Sequence, residues 1–386
     1  MSITLPGPTL GVVGGGQLGR MLAEAAAPLG VEVIVMDPTP ECPASAVARD
    51  QIVADFDDPD GIHALAARAD ALTFEIELAD PDVLAAASAD HGVPVHPDPG
   101  TLETIQDKLV QTEALADAGI PVPEFAAVAT PEGLERLVEE FGGVMLKARE
   151  GGYDGRGNVP VHEPSAAADA LAAVGTDAMA ERFVDFEREL AVMGLKGADG
   201  ETRTYPVTET IHREEILRES VTPARADDEV IARAEAVASE VLELLDGRGV
   251  YGIELFETPD GDVVVNEIAP RPHNSGHWTI EGARTSQFEN HVRAVLSWPL
   301  GPTTLAAPAA TANLLGDVAE TRPATLRGVE SVLAAPAADL HWYGKADARP
   351  LRKMGHLTVT APDGGDSTAL VSQARELRDG TTFAGE

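Results

Sequence analysis

Apolar residues along the chain fall into short runs whose period changes from one region to the next. Thr9–Val13 is an apolar run ahead of glycines, residues 17–29 repeat at helical spacing, and residues 31–36 form a β-rich run closed by Asp37-Pro38. Ala71–Phe74 is another short apolar strand, residues 81–89 predict a helix and 93–95 a strand. Strand and helix periods in alternation predict βαβ units on a parallel sheet. The chain turns at Asp98-Pro99-Gly100, and residues 102–118 predict one helix before a proline-rich turn at 119–123. From Val144 onward, short strands, glycine loops and two helices (165–173 and 227–245) give the pattern of an α+β domain. The Pro/Ala/Thr stretch 299–311 reads as a linker, and the last 75 or so residues as a small β-rich unit. The alanine-rich stretches keep apolar periodicity and read as helices rather than disorder.

Composition narrows the class. A chain of 386 residues that is 44% apolar can bury sizeable cores and suggests two or three domains. Its 28 basic and 64 acidic residues give a net charge of -36, which excludes a nucleic-acid-coating protein and a polybasic membrane binder. One cysteine, Cys42, allows neither an intrachain disulfide nor a cysteine-based zinc cluster. No apolar run is long enough for a transmembrane helix, and the N-terminus lacks the basic and apolar regions of a secretory signal. A soluble cytoplasmic protein is expected. The basic residues comprise 5 Lys against 23 Arg. Acidic excess with few lysines is expected of a protein working in molar salt, where the Debye length is about 3 Å and carboxylate repulsion is screened. An ordinary acidic enzyme is the alternative.

Four segments carry chemistry. GGGQLG at 14–19 fits G-x-G-x-x-G between a strand and a helix, with Asp37 near the end of the second strand. That is a dinucleotide fingerprint, but the same turn binds other anions at a helix N-terminus, and no hydride-transfer site lies downstream. Lys147 ends an apolar strand and precedes a loop, 149–158, that interleaves glycines with Tyr153, Asp154 and Arg156. Glycines let such a loop fold over phosphates, and an arginine contacts oxyanions in two places; no Gly-Lys-Ser/Thr is present there, so it is not a Walker A loop. A surface hairpin is the bland alternative. Glu254 and Glu267 lie in two runs, 251–256 and 263–268, joined by a turn. If the register places them on one face, these carboxylates and the Asn266 amide would suit Mg²⁺, a hard cation that also takes phosphate oxygens. In so acidic a chain, solvated carboxylates are the competing explanation, opposed by the apolar neighbours of each Glu. The proline-bent run 269–278 sets Arg271, His273, Asn274 and His277 beside that hairpin and reads as substrate contacts. A core histidine would explain one of these residues, not the cluster.

Together these residues resemble ATP-grasp ligases and, among them, the 5-(carboxyamino)imidazole ribonucleotide synthases, carboxylases of purine biosynthesis. The resemblance spans nearly the whole chain and rests on GGGQLGRM (14–21), GGYDGRG (151–157), NEIAPRPHNSGHW (266–278), SQFE (286–289) and HWYGKADARPLRKMGH (341–356). It implies a mixed α/β and α+β architecture in three parts: a Rossmann-like domain (1–100), an ATP-grasp domain (101–298) and a small β-rich domain (299–386). The implied activity is that of a carbon–nitrogen ligase, which carboxylates the amino group of 5-aminoimidazole ribonucleotide with ATP and bicarbonate, via carboxyphosphate. By matching positions, Lys108 and Lys147 would contact the nucleotide phosphates, and Gly152, Tyr153, Asp154, Gly155, Arg156, Gly157 and Asn158 would form a flap over ATP. The segment Glu181, Arg182, Phe183 and Val184 would border the adenine, Glu189 would bind the ribose, and His212 would lie near the nucleotide. Glu254, Glu267 and Asn266 would hold Mg²⁺. Tyr153, Asp154, Arg156, Arg271, His273 and Asn274 would carry catalysis. Gly16, Gln17, Leu18, Glu75, Lys345 and Arg352 would hold the ribonucleotide, the last two at its 5′-phosphate. Two positions depart from the family pattern: Lys108 stands where arginine is frequent, and Leu78 where many relatives have asparagine. A homodimer is expected, with no nucleic acid or membrane partner. The alternatives are a formate-dependent glycinamide ribonucleotide transformylase, an NAD-dependent oxidoreductase and a non-catalytic nucleotide sensor.

Overall fold

Alternation of strand and helix in the first hundred residues closes into a four-stranded parallel sheet, in the order Asp50–Ile52, Glu32–Met36, Thr9–Val13, Ala71–Phe74. The protein is seen here as a computed structural model that describes residues 3–151, 157–175, 177–362 and 364–383. Residues 93–95, expected as a strand, contribute only an isolated bridge from Val95 to Leu72. Three helices of this region start alike. In Pro59–Ala66, Pro81–His91 and Pro99–Gln106 an aspartate (Asp58, Asp80, Asp98) caps the free N–H groups and a proline takes the first helical position.

The helix expected over 102–118 is two helices, Pro99–Gln106 and Lys108–Asp117, with Asp107 extended between them. The Asp107 carboxylate accepts from Leu109 N and Val110 N, so it starts a new helix where apolar periodicity alone runs straight through. Arg149 clamps the same carboxylate through Nε, 3.0 Å from both oxygens. Lys108, the first residue of the second helix, is thereby fixed beside strand Val144–Ala148.

Two antiparallel sheets build the centre. The smaller has the order Phe125–Val128, Ala178–Arg182, Val144–Ala148, Asn158–Val161. The larger has nine strands: Val263–Ala269, Gly249–Glu257, Arg188–Lys196, Thr208–Arg213, Ile216–Thr222, Ala309–Leu315, Lys353–Thr360 and Ala338–Trp342 in sequence, with Thr202–Thr204 paired off the third. Helix Asp228–Leu244 covers this sheet, burying Val230, Ala234, Val237, Ala238, Val241 and Leu242 at helical spacing. The last three strands in that order belong to the C-terminal part of the chain and extend the large sheet. His341 and Lys353 are thus delivered to the same sheet as Glu254. Among the described residues, no helix is long and apolar enough to cross a membrane.

Candidate active site

The glycine turn after Thr9–Val13 is closed by two acids. Asp37 accepts from Gly15 N (3.0 Å) and Thr39 N (2.8 Å), so each of its oxygens is engaged with the main chain and holds the glycine turn. Glu75 accepts from Gly16 N at 2.6 Å. Gly14 has φ +105°, and a Cβ there would overlap the Glu75 side chain, so both conformation and space require glycine. Burial pushes the Glu75 carboxyl up to about 7, with Asp37 adding to the effect and the Gly16 N–H and Arg271 opposing it. Of the expected ribonucleotide contacts here, Gln17 opens the helix Gln17–Ala26, while the Leu18 side chain is buried in the apolar core and leaves only its main chain to the turn.

Glu254 and Glu267 are directly paired across the antiparallel hairpin, which places both on one face. Burial raises the Glu254 carboxyl, and Glu267 and Glu189 raise it further, against His212. Glu267 goes the other way: Lys108 overcomes the cost of burial and lowers it, with Nζ 2.5 Å from Oε1. Lys147 is almost fully buried, 2.7 Å from Glu181 Oε1 and 3.3 Å from Asn266 Oδ1. His212 Nδ1 is bonded to Glu189, and that bond outweighs burial to raise its pKa. Arg182 points to Glu124 (2.9 Å) and Phe183 stacks on His162 (5.0 Å between centroids), so these two residues and Val184 can offer a ligand main chain. Asn158 pairs with Lys147 across the small sheet, and Gly157 O accepts from Ala148 N. Gly152, Tyr153, Asp154, Gly155 and Arg156 lie outside the described residues.

Arg271 joins the two regions. Its Nη2 donates to Glu77 Oε2 at 2.9 Å, and Nε lies 2.9 Å from Oε1 as an ion-pair contact. Its charge also opposes the rise of Glu75 on one side and helps lower Glu267 on the other, so Arg271 stands between the glycine turn and the carboxylate face. His273 Nδ1 lies 3.0 Å from Ser275 Oγ and 3.8 Å from Glu254 Oε1. Asn274 is buried, and neither atom of its side-chain amide has a hydrogen-bond partner among the described residues. Lys345 Nζ donates to Lys353 O at 2.7 Å, and Arg352 Nη1 donates to Asp347 O at 2.8 Å. Behind the loop, the rings of His277, His356 and His341 stack with centroids 4.6 and 4.5 Å apart. Burial holds His277 and His356 neutral, whereas Glu281 raises His341 against its own burial.

Two residues escaped the sequence reading. Glu77 sits two places after Glu75 in FEIE, which was its only signal. Lys353, which the scarcity of lysine marks as functional, is close enough to oppose the rise of both Glu254 and His212. Gln287, inside SQFE, grips the main chain of His273. Of the two departures, Lys108 makes a single point contact, where an arginine would offer a fork, and Leu78 is exposed.

A Rossmann-like unit set against a cleft between two antiparallel sheets, with lysines and paired carboxylates inside the cleft, defines an ATP-grasp protein. Residues 113–288 match the ATP-grasp domain, residues 8–106 the ribonucleotide synthetase pre-ATP-grasp domain, and residues 309–369 the phosphoribosylaminoimidazole carboxylase C-terminal domain. The N5-carboxyaminoimidazole ribonucleotide synthase of Brucella melitensis is 40% identical over 361 residues, covering 92% of this chain and 97% of that protein. The phosphoribosylaminoimidazole carboxylase of Schizosaccharomyces pombe is 41% identical over 360 residues, 91% of this chain, which spans only 64% of the yeast protein's length. The crystal structure of the Aspergillus clavatus N5-carboxyaminoimidazole synthase with ADP and 5-aminoimidazole ribonucleotide superposes with a TM-score of 0.89 at 34% identity, over 96% of this chain and 98% of that one. The chain belongs to the N5-carboxyaminoimidazole ribonucleotide synthase family of ATP-grasp ligases.

Proposed function

We propose that this protein carboxylates the amino group of 5-aminoimidazole ribonucleotide in purine biosynthesis, consuming ATP and bicarbonate and releasing ADP and phosphate. The observation that carries the reading is the Arg271–Glu77 ion pair, which ties the segment after Glu75 to the loop that follows the carboxylate hairpin. A substrate phosphate and a nucleotide phosphate chain can then meet there. A bicarbonate oxygen attacks the γ-phosphorus, the bridging P–O bond to ADP breaks, and carboxyphosphate forms. The ribonucleotide amine then attacks the carboxyl carbon, directly or after collapse to CO₂; the C–O bond to phosphate breaks and the amine loses a proton.

Lys108 and Lys147 supply positive charge where the phosphates would lie, each already held by a carboxylate and so pre-aligned. Glu189 and His212 form a polar pair for the ribose, and the main chain of 181–184 for the adenine edge. The hairpin fits Mg²⁺. Glu254, Glu267 and Asn266 offer hard oxygen donors, and the Glu254 carboxyl is raised by burial and further by Glu267 and Glu189, a repulsion that a cation relieves. Among the described residues, no three acidic, histidine or cysteine side chains could hold an ion unaided, so phosphate oxygens would complete its shell. The ion, when bound, would neutralise charge on the transferring phosphoryl group. Arg271 and His273 line the transfer region, and the unpartnered Asn274 amide there can bond a substrate. Lys345 and Arg352 are assigned to the 5′-phosphate, and the flap residues Tyr153, Asp154 and Arg156 to bicarbonate and the amine. A homodimer completes the reading.

An ADP-release assay tests it. Turnover should need bicarbonate and rise on adding 5-aminoimidazole ribonucleotide. Stimulation by formate with glycinamide ribonucleotide instead would indicate the transformylase, and nucleotide binding without turnover a sensor.

A further inference from the structure

Gln287 opens the helix Gln287–Val295, yet its side chain serves the loop 270–278 instead. It is fully buried. Its Oε1 accepts from His273 N at 3.0 Å, and its Nε2 donates to His273 O at 2.8 Å. The carboxamide therefore satisfies both main-chain groups of one residue, as a neighbouring strand would. A donor on one side and an acceptor on the other fix the amide's orientation. Nε2 also stands 3.4 Å from His277 Nδ1. Gln287 N donates to Thr279 Oγ1 (3.0 Å), which donates to Gly276 O (2.6 Å). A Cβ at Gly276 would lie 2.7 Å from Gln287 Oε1, so glycine at that position admits the close approach.

The helix itself needs none of this. Ser286 already caps it, its Oγ accepting from Glu289 N at 3.1 Å. An apolar side chain of the same length would fill the volume. What the carboxamide adds is a fixed main chain at His273, between Arg271 and Asn274. We infer that Gln287 is a positioning residue whose carboxamide sets the reach of Arg271, His273 and Asn274 toward the ribonucleotide. This rests on the carboxylase reading above.

Two variants test it. Gln287→Met keeps the shape and removes both bonds. Its kcat/KM for 5-aminoimidazole ribonucleotide should fall about 10- to 100-fold, as for a misplaced reacting group, while the KM for ATP moves less than about threefold. Gln287→Glu gives a signature that a merely structural role would not. Ionised, the new carboxylate faces the His273 carbonyl; protonated, it restores the donor–acceptor pair. The ratio of variant to wild-type kcat/KM for the ribonucleotide should therefore climb as pH falls from about 8.5 to about 6, since burial raises a carboxyl's pKa into that range. The nearest titratable ring, His277, is held neutral across this range by burial, so it does not ionise with the new carboxylate. A flat ratio in folded Gln287→Glu, or equal losses for ATP and ribonucleotide in Gln287→Met, would overturn the assignment. Wild-type enzyme without ribonucleotide-stimulated turnover would overturn the carboxylase reading and the assignment together; an active wild type with an indifferent variant overturns the assignment alone.

Discussion

Glu75 is the residue on which burial and chemistry pull hardest against each other. Its carboxyl is raised from 4.5 to about 7, chiefly by burial. A raised acid means that the folded state holds its proton more tightly than the unfolded chain does. The resulting penalty is absent below about pH 4.5, grows between there and about 7, and is constant above. Glu75→Gln keeps an acceptor for Gly16 N and removes the charge. Without ligands it should stabilise the protein by about 2–3 kcal/mol at pH 8, and the gain should shrink toward zero near pH 5. Urea unfolding of both proteins across that range checks this; a pH-independent difference would mean that the carboxyl is not perturbed. At this scale the sequence exposes residues whose neighbours in the chain already form a motif, such as Lys147, Glu254 and Glu267. It hides those whose partners are remote. Glu77 meets Arg271 across 194 positions, and nothing near either residue announces the pair.

Asp107 shows how an element carries function. Leu102, Ile105, Leu109, Thr112 and Leu115 are all buried at helical spacing on both sides of it, so periodicity gives one helix where there are two. The break comes from side-chain capping and the Arg149 clamp. Asp107→Ala removes both, should cost about 1–2 kcal/mol of stability, and should raise the KM for ATP because Lys108 is the next residue. A variant with a lower unfolding midpoint but an unchanged KM for ATP would show that the cap does not position Lys108. The parallel sheet and the Glu254–Glu267 hairpin are legible because each strand is followed by its own turn chemistry. The extension of the large sheet is not. Ile216–Thr222 pairs with Ala309–Leu315 only after a long detour through helix and hairpin, and period says which face is buried, not which strand is adjacent.

Over the whole molecule the charge of -36 sets the terms of stability. Screening shortens from about 10 Å at 0.1 M salt to about 3 Å at 1 M, so repulsion among surface carboxylates reaches much further in dilute buffer. The melting temperature should rise with KCl over that interval; a value independent of KCl would count against salt adaptation. Lys108, Lys147, Arg271 and Lys353 gather around the carboxylate face, where anionic substrates would need them. The proposed activation of bicarbonate by phosphoryl transfer at this site predicts that, in turnover with ¹⁸O-labelled bicarbonate, ATP and 5-aminoimidazole ribonucleotide, one labelled oxygen passes from each reacting bicarbonate into the phosphate released. Carboxyphosphate leaves that oxygen on phosphorus when its C–O bond breaks. Mass spectrometry of the phosphate should show the label transferred in step with ADP formation, and unlabelled phosphate at full turnover would contradict the account.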